Sequence, residues 1–136
     1  MRLKPFLSRL MALLLVVTMG LMGCSSANST TGLTGNYGQD TQTLLSSVNT
    51  NIELANDAPE RIESVNLLRE QINDYTSRYR RNSKVAGLRS FTTMQTALNS
   101  LAGYYSAYSS RPLSAKLEKR LRQEFKQVEI ALKRGR

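Results

Sequence analysis

Between Phe91 and Tyr108 the apolar side chains recur as Phe91, Met94, Leu98, Leu101, Tyr105 and Tyr108, always three or four residues apart. A strand turns its side chains over every second residue, whereas a helix returns them to one face every 3.6, so this spacing calls for a helix with one buried stripe. Three other runs behave alike. Leu45, Val48, Ile52 and Ala55 form one, and Ile62, Val65, Leu68, Ile72, Tyr75 and Tyr79 a second. The third, Leu113, Leu117, Leu121, Phe125, Val128 and Leu132, steps mostly by four. The breaks carry helix punctuation. Asp57-Ala58-Pro59-Glu60 offers a capping carboxylate and a proline at a helix start, and Arg111-Pro112 does the same before the last run. Gly87 lies between the second and third runs in the sequence, and Gly135 follows the last periodic residue. Four amphipathic helices of about 15–22 residues on short connections predict an all-α fold, an antiparallel up-down-up-down four-helix bundle. The segments share no common 20–50-residue repeat, which argues against a solenoid.

The chain of 136 residues is long enough for one such domain and too short for two. Its first part reads differently. Arg2, Lys4 and Arg9 precede an apolar stretch over residues 10–21, and the run closes on Leu21-Met22-Gly23-Cys24. A basic start followed by about 12 apolar residues is an export signal, short of the roughly 20 that span a bilayer. Leu-x-Gly-Cys at its end is the pattern of a bacterial lipoprotein box, which makes residues 1–23 a cleaved signal and Cys24 the lipidated N-terminus. A diacylglycerol and an acyl chain such as palmitate on Cys24 are the expected covalent groups, and no other cofactor is expected. One acyl chain holds only reversibly, so several give a lasting anchor. Residues 25–36, SSANSTTGLTGN, have a single apolar side chain, Leu33, and are expected to form with Cys24 a flexible tether over residues 24–36. The bundle is then expected over residues 37–136.

Histidine is absent and cysteine occurs once. Ser-His and Cys-His nucleophilic catalysis, histidine-ligated zinc and an internal disulfide are thereby excluded, and no enzyme activity is expected. The acidic residues Asp40, Glu53, Asp57, Glu60, Glu63, Glu70 and Asp74 are scattered, without the dense alternation of a calcium loop, so no metal is expected.

Charge is divided along the chain. Residues 24–77 hold 2 basic and 7 acidic side chains, and residues 78–136 hold 14 and 3. Arg78, Arg80, Arg81, Lys84 and Arg89 crowd around one expected helix end, where they repel one another unless an anionic partner or the helix dipole offsets them. Lys116, Lys119, Arg120, Arg122 and Lys126 spread around more than one face of the last helix, which reads as solubility. An exported, membrane-tethered domain has little access to nucleic acid, so none is expected as a partner.

Several ordered segments are more specific. Arg78-Tyr79-Arg80-Arg81, Lys84-Val85-Ala86-Gly87-Leu88, Ser90-Phe91-Thr92-Thr93-Met94-Gln95-Thr96-Ala97-Leu98-Asn99, Leu101-Ala102-Gly103-Tyr104-Tyr105 and Ser110-Arg111-Pro112-Leu113 closely resemble the lumenal photosystem II assembly and repair lipoproteins of cyanobacteria. Leu33-Thr34-Gly35-Asn36-Tyr37 and Cys24 extend the resemblance over the expected mature chain. It implies a small monomeric four-helix bundle, lipid-anchored on the lumenal side of the thylakoid membrane. It also implies binding to photosystem II assembly intermediates, through the lumenal loop of the inner antenna subunit CP43, before the manganese cluster and extrinsic subunits are in place. Without the resemblance, the alternative is a general envelope lipoprotein whose basic face binds anionic lipid or polyanions.

The expected partner-binding residues are Arg78, Arg80, Arg81, Lys84 and Arg89, together with Tyr104, which falls off the apolar stripe of its helix. Tyr104 suits either a contact with a partner or a boundary position hydrogen-bonded within the bundle. Gly103, costly in mid-helix, is expected to permit the close approach of a neighbouring helix, or else of a partner.

Overall fold

The computed structural model describes residues 30–136, and one compact unit spans Thr31–Arg136. The signal, the lipoprotein box and residues 24–29 lie outside the described residues. Four helices follow one another: α1 (Tyr37–Glu53), α2 (Arg61–Tyr79), α3 (Arg89–Tyr108) and α4 (Ala115–Lys133). Each packs on its sequence neighbours and α4 closes back on α1, giving the antiparallel up-down-up-down bundle that the stripes predict. The core is built from Leu44, Val48, Val65, Leu68, Tyr75, Met94, Leu98, Leu101, Tyr105, Leu121 and Val128, all fully buried.

The stripes fail only at their ends. Ile62 and Tyr108, both at helix ends, are 64% and 51% exposed. In α4, Ala131 takes the buried place expected of Leu132. The punctuation also shifts. α2 starts at Arg61 without a side-chain cap from Glu60, and Pro59 lies in the turn before it, where the Ala58 carbonyl accepts from Arg61 N at 3.1 Å. α4 begins beyond Pro112, capped by the Ser114 hydroxyl, which accepts from Leu117 N at 3.3 Å. Gly135, at φ +66°, turns the chain after α4, a conformation glycine adopts without strain.

Gly103 does not admit a neighbouring helix: it is exposed, and a Cβ placed there meets nothing within 4 Å. The ordered body also begins six residues before Tyr37. Leu33 is only 2% exposed and joins the core cluster, and Thr31 is buried beside it. Residues 31–36 form a strap. Its end carries the α1 cap, where the Asn36 side chain accepts from Gln39 N at 3.0 Å.

Arg61 closes the opposite end of the bundle. Its guanidinium, on a residue 5% exposed, donates from Nε to Ser110 O at 2.8 Å and from Nη1 to Leu54 O at 3.3 Å. These carbonyls stand at the C-terminal ends of α3 and α1, where both helix dipoles present partial negative charge. Arg61→Met keeps the apolar stem and removes the donors. It is expected to cost about 1.5–3 kcal/mol, the range for a hydrogen bond to a charged group, read as a lower urea midpoint.

Candidate functional site

The end of the bundle formed by the start of α1, the end of α2, the start of α3 and the end of α4 is built on aromatic rings. Tyr37, Tyr75 and Tyr79 stack edge-on or tilted at centroid distances of 5.0–6.3 Å, and Phe91 lies 6.1 Å from Tyr75. The phenols are tied down. Tyr37 shares a hydrogen bond with the Ser90 hydroxyl at 2.6 Å, and Tyr75 shares one with Thr41 Oγ1 at 2.9 Å. Tyr79 donates to Asp40 Oδ2 at 2.6 Å. Burial pushes both the Tyr75 and the Tyr79 hydroxyls far above the usual phenol range, and the Asp40 carboxylate adds to the shift at Tyr79.

Asp40 ties this layer to the strap. It accepts from Thr34 N at 2.7 Å, Thr34 Oγ1 at 2.9 Å and Gly35 N at 3.0 Å, besides Tyr79. Burial alone raises a carboxyl pKa, but these donors outweigh it and hold Asp40 below its ordinary value. Further along the strap, Thr31 Oγ1 donates to Asp74 Oδ2 at 2.6 Å, and Gln71 Nε2 donates to Thr31 O at 3.0 Å.

On this base stand the cations. The segment between α2 and α3 is a run of turns: Asn82 N donates to Tyr79 O, Val85 N and Ala86 N to Asn82 O, and Leu88 N to Val85 O. Val85 is buried in the core and Asn82 Oδ1 accepts from Lys84 N, so the segment is held from inside. Arg80, Arg81, Lys84 and Arg89 are exposed, and among the described residues none forms an ion pair. Arg78 differs from the other four. It makes a two-pronged contact with Asp74, Nε to Oδ1 at 2.6 Å and Nη2 to Oδ2 at 3.1 Å, which holds its guanidinium charged. A half-exposed pair of this kind is worth little in stability, but it commits Arg78 to its own helix.

Tyr104 lies elsewhere. It is part-exposed on α3, beside the α3–α4 connection at the other end of the bundle, where its hydroxyl donates to Pro112 O at 2.6 Å. Its ring packs 4.9 Å from the exposed Tyr108. The six expected partner-binding residues therefore do not form one patch. Four free cations share the first end, Arg78 is paired beside them, and Tyr104 braces a loop at the opposite end.

Two residues that sequence spacing gave no reason to include join the first end. Beyond α4 the chain turns at Gly135 and the main-chain oxygen of Arg136 accepts from Ser90 N at 3.1 Å, which brings Arg134 and Arg136 beside Arg89. The cations of α4 itself are largely compensated: Arg120 with Glu124 and Arg122 with Glu118 at 3.0 Å, and Lys133 with Glu129 at 3.4 Å. The scattered acids, too, are spread through the fold. Among the described residues no three Asp, Glu, Cys or His side chains come together as a metal site.

The fold and this end define a class: a small four-helix bundle with a strapped N-terminal segment and a cationic pole. The chain belongs to the family described as Photosystem II Pbs27, which matches residues 7–132. It is 57% identical over 133 residues to the photosystem II lipoprotein Psb27 of Synechocystis sp., covering 98% of this chain and 97% of that protein. It is 49% identical to the photosystem II assembly factor lipoprotein Psb27 of Thermosynechococcus vestitus, covering 96% of each. The solution structure of Psb27 from cyanobacterial photosystem II matches with a TM-score of 0.75 at 57% identity, over 82% of this chain and 96% of that one.

Proposed function

We propose that this chain is an assembly and repair factor for photosystem II, a monomer anchored by lipid on Cys24 to the lumenal side of the thylakoid membrane. It binds assembly intermediates through the lumenal loop of CP43, before the manganese cluster and the extrinsic subunits are in place. It acts by binding, without catalysis. The observation that carries this reading is nearly full-length similarity to a protein named for photosystem II assembly. The fold supports it, because a cationic pole on a strapped, uniquely packed bundle is a surface for an anionic partner. Arg80, Arg81, Lys84 and Arg89 are the docking residues in this reading. Arg78 holds Asp74, which in turn accepts from Thr31 of the strap, and Tyr104 offers a second, aromatic contact through its ring.

The test is affinity isolation of the tagged chain from thylakoids. Photosystem II intermediates lacking extrinsic subunits are expected to co-purify in a salt-sensitive way, with crosslinks to the CP43 loop. Even recovery with anionic vesicles, and no photosystem subunits, supports a general envelope lipoprotein instead. For the anchor, intact mass is expected to show a diacylglycerol and an acyl chain on Cys24. Cys24→Ser is expected to lose both and move to the soluble fraction. Because an anchor mainly raises local concentration, part of the binding survives that change. An unmodified Cys24 in the wild-type chain overturns the lipoprotein assignment.

A further inference from the structure

The charges beyond α4 form a feature that the docking residues above do not include. Arg134 and Arg136 line, with Arg89, Gln127, Ala131 and the half-exposed Ile130, a cavity of about 140 Å³. None of the three arginines has an ion-pair partner among the described residues. The topology makes them continuous with the α2–α3 turns: α3 starts where those turns end, and the Ser90–Arg136 hydrogen bond pins the last residues beside that start. Among the described residues the pole therefore presents six cations without an ion-pair partner, Arg80, Arg81, Lys84, Arg89, Arg134 and Arg136. The part-buried Asp74 and the exposed Glu129 are occupied by Arg78 and Lys133.

We infer that Arg89, Arg134 and Arg136 form an acceptor pocket for a carboxylate side chain of a protein partner, and that this pocket completes the docking surface. The inference rests on the assembly reading above and adds to it a site and a ligand chemistry. Two features fit a carboxylate on a protein partner. Five of the six cations are arginines, whose planar fork matches a carboxylate, as it does a phosphate, with two parallel bonds, whereas a lysine acts as a point charge; the vesicle arm of the experiment below separates the two. The pocket is concave, and its lining includes Ile130 and Ala131, apolar contacts for the methylenes of an aspartate or glutamate.

The experiment compares the full lipidated chain with two double variants, each binding photosystem II intermediates purified from cells lacking this protein. Arg134→Gln with Arg136→Gln removes two charges from the pocket. Arg120→Gln with Arg122→Gln removes two from the paired flank of α4. The pocket variant is expected to bind on the order of tenfold more weakly at low salt, with a shallower salt dependence and an unchanged melting temperature, while the flank variant stays close to wild type. Arg134→Lys with Arg136→Lys restores the salt dependence and only part of the affinity. A pocket variant that binds like wild type overturns the inference and leaves the assembly reading standing. Equal weakening by both Gln variants reduces it to net charge and overturns it. A pocket variant impaired equally on vesicles containing phosphatidylglycerol shows a membrane contact and overturns it too. If the wild-type chain does not bind the intermediates, the assembly reading falls and the inference with it.

Discussion

Leu98→Ala is expected to lower stability by about 2–5 kcal/mol, which for a bundle of this size is a drop of roughly 10 °C or more in melting temperature. Leu98 sits near the middle of α3 at 1% exposure, inside the cluster that also holds Met94, Leu101 and Leu121. Truncation removes three buried carbons and leaves a hole that helices held at both ends cannot readily close. Arg61 fixes one end of the bundle and the tyrosine layer the other, so the upper half of the range applies. Calorimetry measures the effect, and an unchanged melting temperature overturns the packing described here. Val128→Ala on the facing helix removes less and is expected to cost less, so the ratio of the two separates cavity formation from general loosening.

The helices were legible because local periodicity and tertiary burial agree over most of their length. Phe91, Met94, Leu98, Leu101 and Tyr105 are all buried as their spacing requires. What was not legible depends on partners far along the chain. Residues 31–36 look like a tether because one apolar residue in a polar run cannot order a segment by itself. The donors and acceptors that order them, Asp40, Gln71 and Asp74, lie up to 43 residues away from those they hold. Arg61 reads as one more surface charge until two helix ends are seen to converge on it. Pro59 and Glu60 carry the right chemistry for a helix start, but a turn closed by the Ala58 carbonyl delays the helix to Arg61.

The candidate site divides in the same way. A dense run such as Arg78-Tyr79-Arg80-Arg81 is visible in one dimension, and the helix period places Tyr79 inward and its neighbours outward, as observed. The pairing of Arg78 with Asp74 at i, i+4 could also have been read from the sequence, since that spacing places the two on one helix face. The contribution of Arg134 and Arg136 could not. It arises from antiparallel topology, which returns the end of α4 to the start of α3, and from the turn at Gly135.

Asp40→Ala is the second large effect, expected at about 3–5 kcal/mol, because four donors converge on this fully buried carboxylate. Its removal strands the Tyr79 hydroxyl inside the aromatic layer and frees the strap, exposing Leu33. Asp40→Asn keeps the shape, but each carboxylate oxygen faces one backbone N–H that only donates, so wherever the amide N–H₂ is placed it opposes Thr34 N or Gly35 N and the variant recovers only part of the loss. The pH dependence separates this account from simple loss of packing. The folded-state pKa of Asp40 lies below the ordinary 3.8, so its contribution is complete above about pH 5. It is lost as the pH falls from there through the folded-state value, because the unfolded chain takes up the proton first. Wild-type stability is therefore expected to fall more steeply with acid in that window than the stability of Asp40→Asn, which has no proton to bind there. Urea titrations at a series of pH values measure the two slopes. Parallel slopes would show that the carboxylate is not held ionised by the strap and Tyr79, and strap protection in hydrogen exchange would then be set by Leu33 alone.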